Sequence, residues 1–117
     1  MSELKTDLYD LNLLSDQVGN DTMLLKKFTD MFLTTMPVDM QTLEAAIKSG
    51  DWEKSRSTSH KMKSSFLIMG ADWARDICLQ MEAVSRNAEE TKKLPELYRE
   101  LSEKFSNMVT LLSRITF

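Results

Sequence analysis

Small and apolar residues recur along this chain at alternating steps of four and three, and no window alternates with the period of two that a half-buried strand requires. The pattern is clearest from Ser55 through Ser59, Met62 and Phe66 to Met69, between Ser49-Gly50-Asp51 on one side and Gly70 on the other. A stripe with that spacing occupies one side of a helix and asks for other helices to cover it. With three glycines and two prolines in 117 residues, few positions interrupt such elements. The reading is an all-α fold: four longer helices in an antiparallel bundle, with a short additional N-terminal helix, as a single domain over residues 1–117. An apolar fraction of 42% supplies a core for a bundle of this size. Cys78 is the only cysteine, so no internal disulfide contributes.

The breaks between stripes set the expected elements. A short helix is read from about Leu11 to Val18, with Asp10 as its N-cap and Gly19-Asn20 as its end. Asp21 caps the next, whose expected apolar face is Leu24, Leu25, Phe28, Met31, Phe32 and Thr35. Pro37 is expected to end or kink this helix, or to open a following one that turns Met40, Leu43, Ala46 and Ile47 inward. Gly50 closes that segment and Asp51 starts a helix from about Trp52 to Met69. A further helix from Asp72 is expected to turn Trp73 or Ala74, Ile77, Cys78, Met81 and Val84 inward. After the polar stretch 87–93, Pro95 falls in the first turn of the last helix, which is expected to bury Leu94, Leu97 or Tyr98, Leu101, Phe105, Met108, Leu112 and Ile115.

Charge and composition exclude several classes of function. A net charge of −3 offers no basic excess for nucleic acid. No stretch has the apolar length of a membrane span, and Met1 to Asp7 hold no signal-peptide core, so a cytoplasmic, monomeric protein is expected. One histidine and one cysteine do not make a zinc site, so no metal ligands are assigned. The absence of a glycine-rich phosphate loop argues against autonomous ATP-dependent kinase activity.

The single histidine is the residue with chemistry to offer. At about 100° per residue, His60 points roughly 140° away from the centre of the Ser55–Met69 stripe, towards solvent. Arg56 at i−4 and Lys63 at i+3 share its face, and Lys61 lies to one side. An imidazole is a good nucleophile towards phosphorus, and cations one turn away attract phosphoryl oxygens. Ser64, at i+4, is small enough for a partner surface to come close to the ring. Leu67 is an apolar residue on an exposed face, as a docking site requires. Leu13 or Leu14 on the first helix is a candidate to extend that surface. On the helix itself no carboxylate lies on this face within a turn of His60; Glu53, two turns back, is the nearest. A lone histidine on a helix is more often a solvated residue than a reactive one, and Arg56 and Lys63 alone read as solubilising charges.

The segment His60-Lys61-Met62-Lys63-Ser64-Ser65-Phe66-Leu67-Ile68-Met69-Gly70-Ala71 resembles the signature of histidine-containing phosphotransfer (HPt) domains. In that family a histidine is followed by any residue, a leucine, a lysine, a glycine, a small pair and a Leu-Gly-Ala-like ending. His60 matches the phosphorylated histidine, Met62 the buried leucine, Lys63 the phosphate-supporting lysine, and Met69-Gly70-Ala71 the ending. Cys78 and Glu82 resemble the Cys-x-x-x-Glu spacing common in the next helix, and Gly50-Asp51-Trp52 resembles the turn before the histidine helix. Ser64 replaces the usual glycine, and Phe66 is bulkier than the residue often found there. The resemblance implies a phosphorelay intermediate without a cofactor of its own. His60 would take a phosphoryl group from a receiver aspartate and pass it to another, with Mg²⁺ on the partner receiver. The implied partners are receiver domains of response regulators or hybrid histidine kinases. The alternative is a helical module that binds a receiver or other partner without carrying phosphate.

Overall fold

A computed structural model describes residues 4–117; Met1 to Glu3, which open the stretch assigned to a single domain, lie outside the described residues. Five helices follow in order: α1 (Asn12–Gln17), α2 (Thr22–Ser49), α3 (Trp52–Ile68), α4 (Asp72–Asn87) and α5 (Lys93–Ser113). The four longer ones form the bundle, α1 is the short additional helix, and no strand occurs among the described residues beyond a single bridge between Lys5 and Asp10.

The helix ends follow the local chemistry. The Asp21 carboxylate accepts the backbone N–H groups of Met23 and Leu24, at 2.9 and 3.2 Å, two donors that an α2 without a cap would leave unpaired. Gly50 takes the left-handed conformation, φ 72°, that closes α2, and Asp51 then accepts from the Lys54 N–H at 3.0 Å to open α3. At the start of α1 the capping residue is Leu11; Asp10 acts from one position earlier, accepting the Asn12 N–H at 3.0 Å. Asp72 likewise lies just inside α4, after Ala71.

Pro37 does not end a helix. It lies inside a continuous α2 of 28 residues. Proline there forfeits the hydrogen bond to the carbonyl four residues back, a cost of about 3 kcal/mol in an isolated helix. The stripe Leu25, Phe32, Met36, Met40 and Leu43 is buried on both sides of it, so packing of the two halves against the same core outweighs that loss.

The expected apolar face of α2 was too wide. Leu25 and Phe32 are buried, whereas Leu24, Phe28 and Met31 are 40%, 41% and 51% exposed, and Thr35 is exposed. The reason is length. At about 1.5 Å per residue α2 spans ~42 Å, against a long dimension of 43 Å for the whole structure. The 17 residues of α3 span only ~26 Å. The first turns of α2 therefore run past the end of α3, and one flank there has no helix to cover it.

The core is tied together by one aromatic side chain from each long helix. Phe66 of α3 lies 5.7 Å from Phe32 of α2, 6.1 Å from Phe105 of α5 and 6.3 Å from Trp73 of α4, centroid to centroid. The Phe32 and Phe105 contacts are edge-to-face, the arrangement that ring quadrupoles favour. Phe66 is fully buried, so its bulk fills the centre of the bundle while the opposite side of α3 is left to solvent. The N-terminal segment is held to the α3–α4 turn. Asp10 N–H donates to the Met69 carbonyl at 3.1 Å, and the Trp73 indole N–H donates to the Leu8 carbonyl at 2.8 Å.

Gly70 fits that junction for two reasons: its φ is 66°, and an added Cβ would collide with the Asp10 backbone. Gly19 has the same φ with open space around it. Gly19→Ala should therefore cost about 1–2 kcal/mol from backbone strain alone, and Gly70→Ala clearly more, as read from urea denaturation midpoints. Equal losses would show that the N-terminal segment yields without cost.

Candidate functional site

Helices α3 and α4 approach closely because the residues between them are small. Ser55 and Ser85 share a buried hydrogen bond of 2.7 Å, and the Ser59 hydroxyl turns back to the Ser55 carbonyl at 2.7 Å. This pairing fixes an antiparallel register in which α4 residues near position 82 lie beside α3 residues 60 to 63. Glu82 is thereby brought under His60. Its carboxylate side chain is only 4% exposed, and it carries the local hydrogen bonds.

One Glu82 oxygen, Oε2, lies 2.6 Å from His60 Nδ1. The other, Oε1, accepts from Lys63 Nζ at 2.6 Å. Arg86, one turn along α4, places Nη2 3.4 Å from Oε2. Burial acts to raise the Glu82 carboxyl pKa, but the hydrogen bonds from Lys63 and His60 and the charge of Lys63 outweigh it and hold the group below the usual carboxylate range. Glu82 is thus ionised at neutral pH and accepts only, so the Nδ1 nitrogen carries the donated proton. When the ring is uncharged, its free lone pair is therefore the one on Nε2. Among the described residues no hydrogen bond reaches Nε2, and the His60 side chain is 65% exposed. The arrangement presents a nucleophilic nitrogen of fixed tautomer to solvent, with an ammonium group beside it.

Each residue singled out from the sequence has a definite place. His60 is exposed, while Met62 and Phe66 of the same helix are fully buried. Lys63, with a side chain 22% exposed, is drawn in against Glu82. Arg56 is engaged by Glu53, Nη2 to Oε1 at 2.6 Å, an exposed pair within one helix that solvent weakens. Lys61 lies towards α2, where it meets Asp39 at 3.1 Å. Ser64 is exposed and Leu67 is 49% exposed. Leu13 is 64% exposed, whereas Leu14 is buried and belongs to the core.

The carboxylate that was missing from the face of α3 comes from α4. Reading α3 alone did not reveal it, and Arg86 was not singled out at all. The Glu82–Arg86 spacing of four was legible as a helical ion pair, but its position beneath His60 depends on the register set by Ser55 and Ser85. Cys78, one turn before Glu82, is buried, and desolvation pushes its thiol up to about 12, so it is inert rather than reactive. No cluster of three or more His, Cys, Asp or Glu residues suited to a metal ion occurs among the described residues. No helix there is long and apolar enough to cross a membrane.

The Hpt domain family matches residues 27–114, and the chain belongs to that family. Two solved structures share the fold. One is histidine-containing phosphotransfer protein B (HptB) from Pseudomonas aeruginosa PAO1, with TM-score 0.85 and 22% identity over 94% of this chain and 95% of that one. The other is the HPT domain of the Hpt sensor hybrid histidine kinase from Shewanella, with TM-score 0.78 and 17% identity over 92% of each chain. No curated protein sequence matches significantly. Membership of the family assigns the chain a phosphotransfer role in phosphorelays, as a phosphocarrier module that works with receiver domains.

The coupling at Glu82 has a consequence for stability. Its folded-state pKa lies below the unfolded value, so its contribution is present above the unfolded carboxyl pKa, ~4.3, and is lost as pH falls through the folded value. Glu82→Gln removes that contribution. Urea denaturation should show the variant less stable than the parent at neutral pH, with the gap closing in strong acid; a gap independent of pH would mean that the ionised carboxylate is not what stabilises the site.

Proposed function

We propose that His60 carries the phosphoryl group of a phosphorelay, accepting it from the aspartyl phosphate of one receiver domain and passing it to the aspartate of another. The observation that supports this most directly is the division of labour on the ring: Nδ1 bound to Glu82 at 2.6 Å, Nε2 open to solvent. The Nε2 lone pair forms the bond to phosphorus as the bond to the aspartyl oxygen breaks, and the electron pair leaves with the receiver carboxylate. Return transfer reverses these changes. The donor needs no nucleotide site here, and the divalent cation of the reaction belongs to the receiver.

Lys63 and Arg86 are the cations placed to meet phosphoryl oxygens. Both hold Glu82 in the resting site, and an incoming dianion competes for them. Arg56 joins them only by leaving Glu53. The docking surface includes Ser64 and Leu67 beside His60. Leu13 of α1 and the uncovered flank of α2, with Leu24, Phe28 and Met31, continue it towards the end of the bundle where α2 outruns α3. Contacts of this kind suit a transient complex of modest area.

His60→Gln should abolish labelling by a phosphorylated receiver while leaving helicity and melting nearly unchanged, since an exposed side chain packs little. Lys63→Ala should still accept phosphate but transfer it more slowly or lose it sooner, by roughly tenfold for each ~1.4 kcal/mol of lost stabilisation. Radiolabel transfer in a time course separates the two, and undiminished labelling of His60→Gln excludes His60 as acceptor. It also separates this function from that of a module which binds a receiver without carrying phosphate.

The close approach at position 64 has its own test. Ser64→Gly should transfer at least as fast as the parent, whereas Ser64→Phe should block the receiver from the ring. If receiver-to-His60 rates of both variants equal that of the parent, the docking surface does not pass over this position.

A further inference from the structure

The bond that fixes the tautomer of His60 also bears on what the ring becomes once it is phosphorylated. When Nε2 bonds to phosphorus, the ring acquires a formal positive charge with its Nδ1 proton still in place. A phosphoimidazole in water is free to shed that proton. Here the proton lies between Nδ1 and a buried, ionised carboxylate 2.6 Å away. We propose that Glu82 keeps the Nδ1 proton on the ring throughout the transfer, so that phosphorylated His60 is a phosphoimidazolium ion-paired with Glu82, and that this pairing sets the lifetime of the phosphoryl group. The inference rests on His60 being the phosphoryl acceptor proposed above.

The chemical consequence follows from the leaving group. From the phosphoimidazolium, cleavage of the N–P bond returns the electron pair to Nε2 and expels a neutral imidazole. From the deprotonated form it would expel an imidazolate, a far poorer leaving group. With the proton retained, neither entry nor exit of phosphate requires a proton to be lost or gained, and the carrier is poised to give up what it has received. Glu82 acts through the ring and never touches phosphorus, so it is a positioning residue.

The charged surroundings must permit this. On α3, Lys63 contacts the same carboxylate; Arg56 is paired with Glu53 and Lys61 with Asp39 of α2. On α4, Arg86 lies 3.4 Å from Oε2, and the Cys78 thiol beneath is neutral. Lys61 and Arg56 are therefore largely offset by their own acids. Lys63 and Arg86 oppose a ring cation, yet both also gain the new phosphoryl dianion as a partner. Glu82 alone makes direct contact with the Nδ1 proton, from a site where water screens little.

The test needs no receiver. The protein, labelled with ¹⁵N in its ring nitrogens, is phosphorylated with phosphoramidate, which delivers phosphate to Nε2 and leaves as ammonia, and is observed by NMR at mildly alkaline pH. The parent should retain a proton coupled to Nδ1, and Glu82→Gln should lose it at the same pH. The rate of phosphohistidine hydrolysis against pH should show the Gln variant roughly tenfold slower on the alkaline side, the effect of moving one protonation equilibrium by a unit. A parent whose phosphorylated ring lacks the Nδ1 proton overturns the proposal without any variant, even if Glu82→Gln fails to fold. Identical pH profiles for the two proteins also overturn it. Failure of a phosphorylated receiver to label His60 counts against the relay function while leaving these readouts intact. Failure of both donors removes the acceptor and this inference with it.

Discussion

The close packing of α3 on α4 is the constraint on which the site depends. Ser55, Ser59 and Ser85 are small enough to let the helix backbones approach, and the shared hydroxyl bond between Ser55 and Ser85 at 2.7 Å pins their register. A bulkier pair would hold the helices apart and lift Glu82 out of reach of the ring. Phe66 works from the other side of α3. Its ring contacts with Phe32, Phe105 and Trp73 fix the helix rotation, so that the face opposite the core is the one that carries His60.

Burying a carboxylate costs several kcal/mol unless it is paired. Glu82 is paired by an ammonium and an imidazole N–H, with a guanidinium close by, and remains ionised. The same bonds that keep it charged orient the histidine and store Lys63 beside it. Structure and orientation are therefore the same set of contacts: the group that stabilises the α3–α4 pair also holds Nδ1 of the ring and leaves Nε2 open to solvent. Cys78 shows the contrast. It is buried one turn away, and desolvation outweighs the attraction of Lys63, so its thiol is driven towards the neutral form.

Much of this was legible along the chain because it depends on local rules. The three- and four-residue spacing of Ser55, Ser59, Met62, Phe66 and Met69 gave both the helix and its exposed face. Asp21, Gly50 and Asp51 marked ends whose capping bonds the structure contains. What escaped was non-local. Pro37 argued for an end or a kink, and the burial of Met36, Met40 and Leu43 around it accounts for an α2 that does not end there. Leu24, Phe28 and Met31 read as core because periodicity does not say where a neighbouring helix stops. Glu82 and Arg86 could be seen as a pair on α4, but nothing in the sequence of α3 places them beside His60.

The central claim is that Glu82 holds Nδ1 and leaves Nε2 as the nucleophile. It is tested most directly by locating the phosphoryl group on the protein after transfer from a phosphorylated receiver. Phosphorus–nitrogen couplings in the ¹⁵N-labelled imidazole distinguish the two positions. The account predicts phosphate on Nε2 of His60; phosphate on Nδ1, or on any other residue, would contradict it.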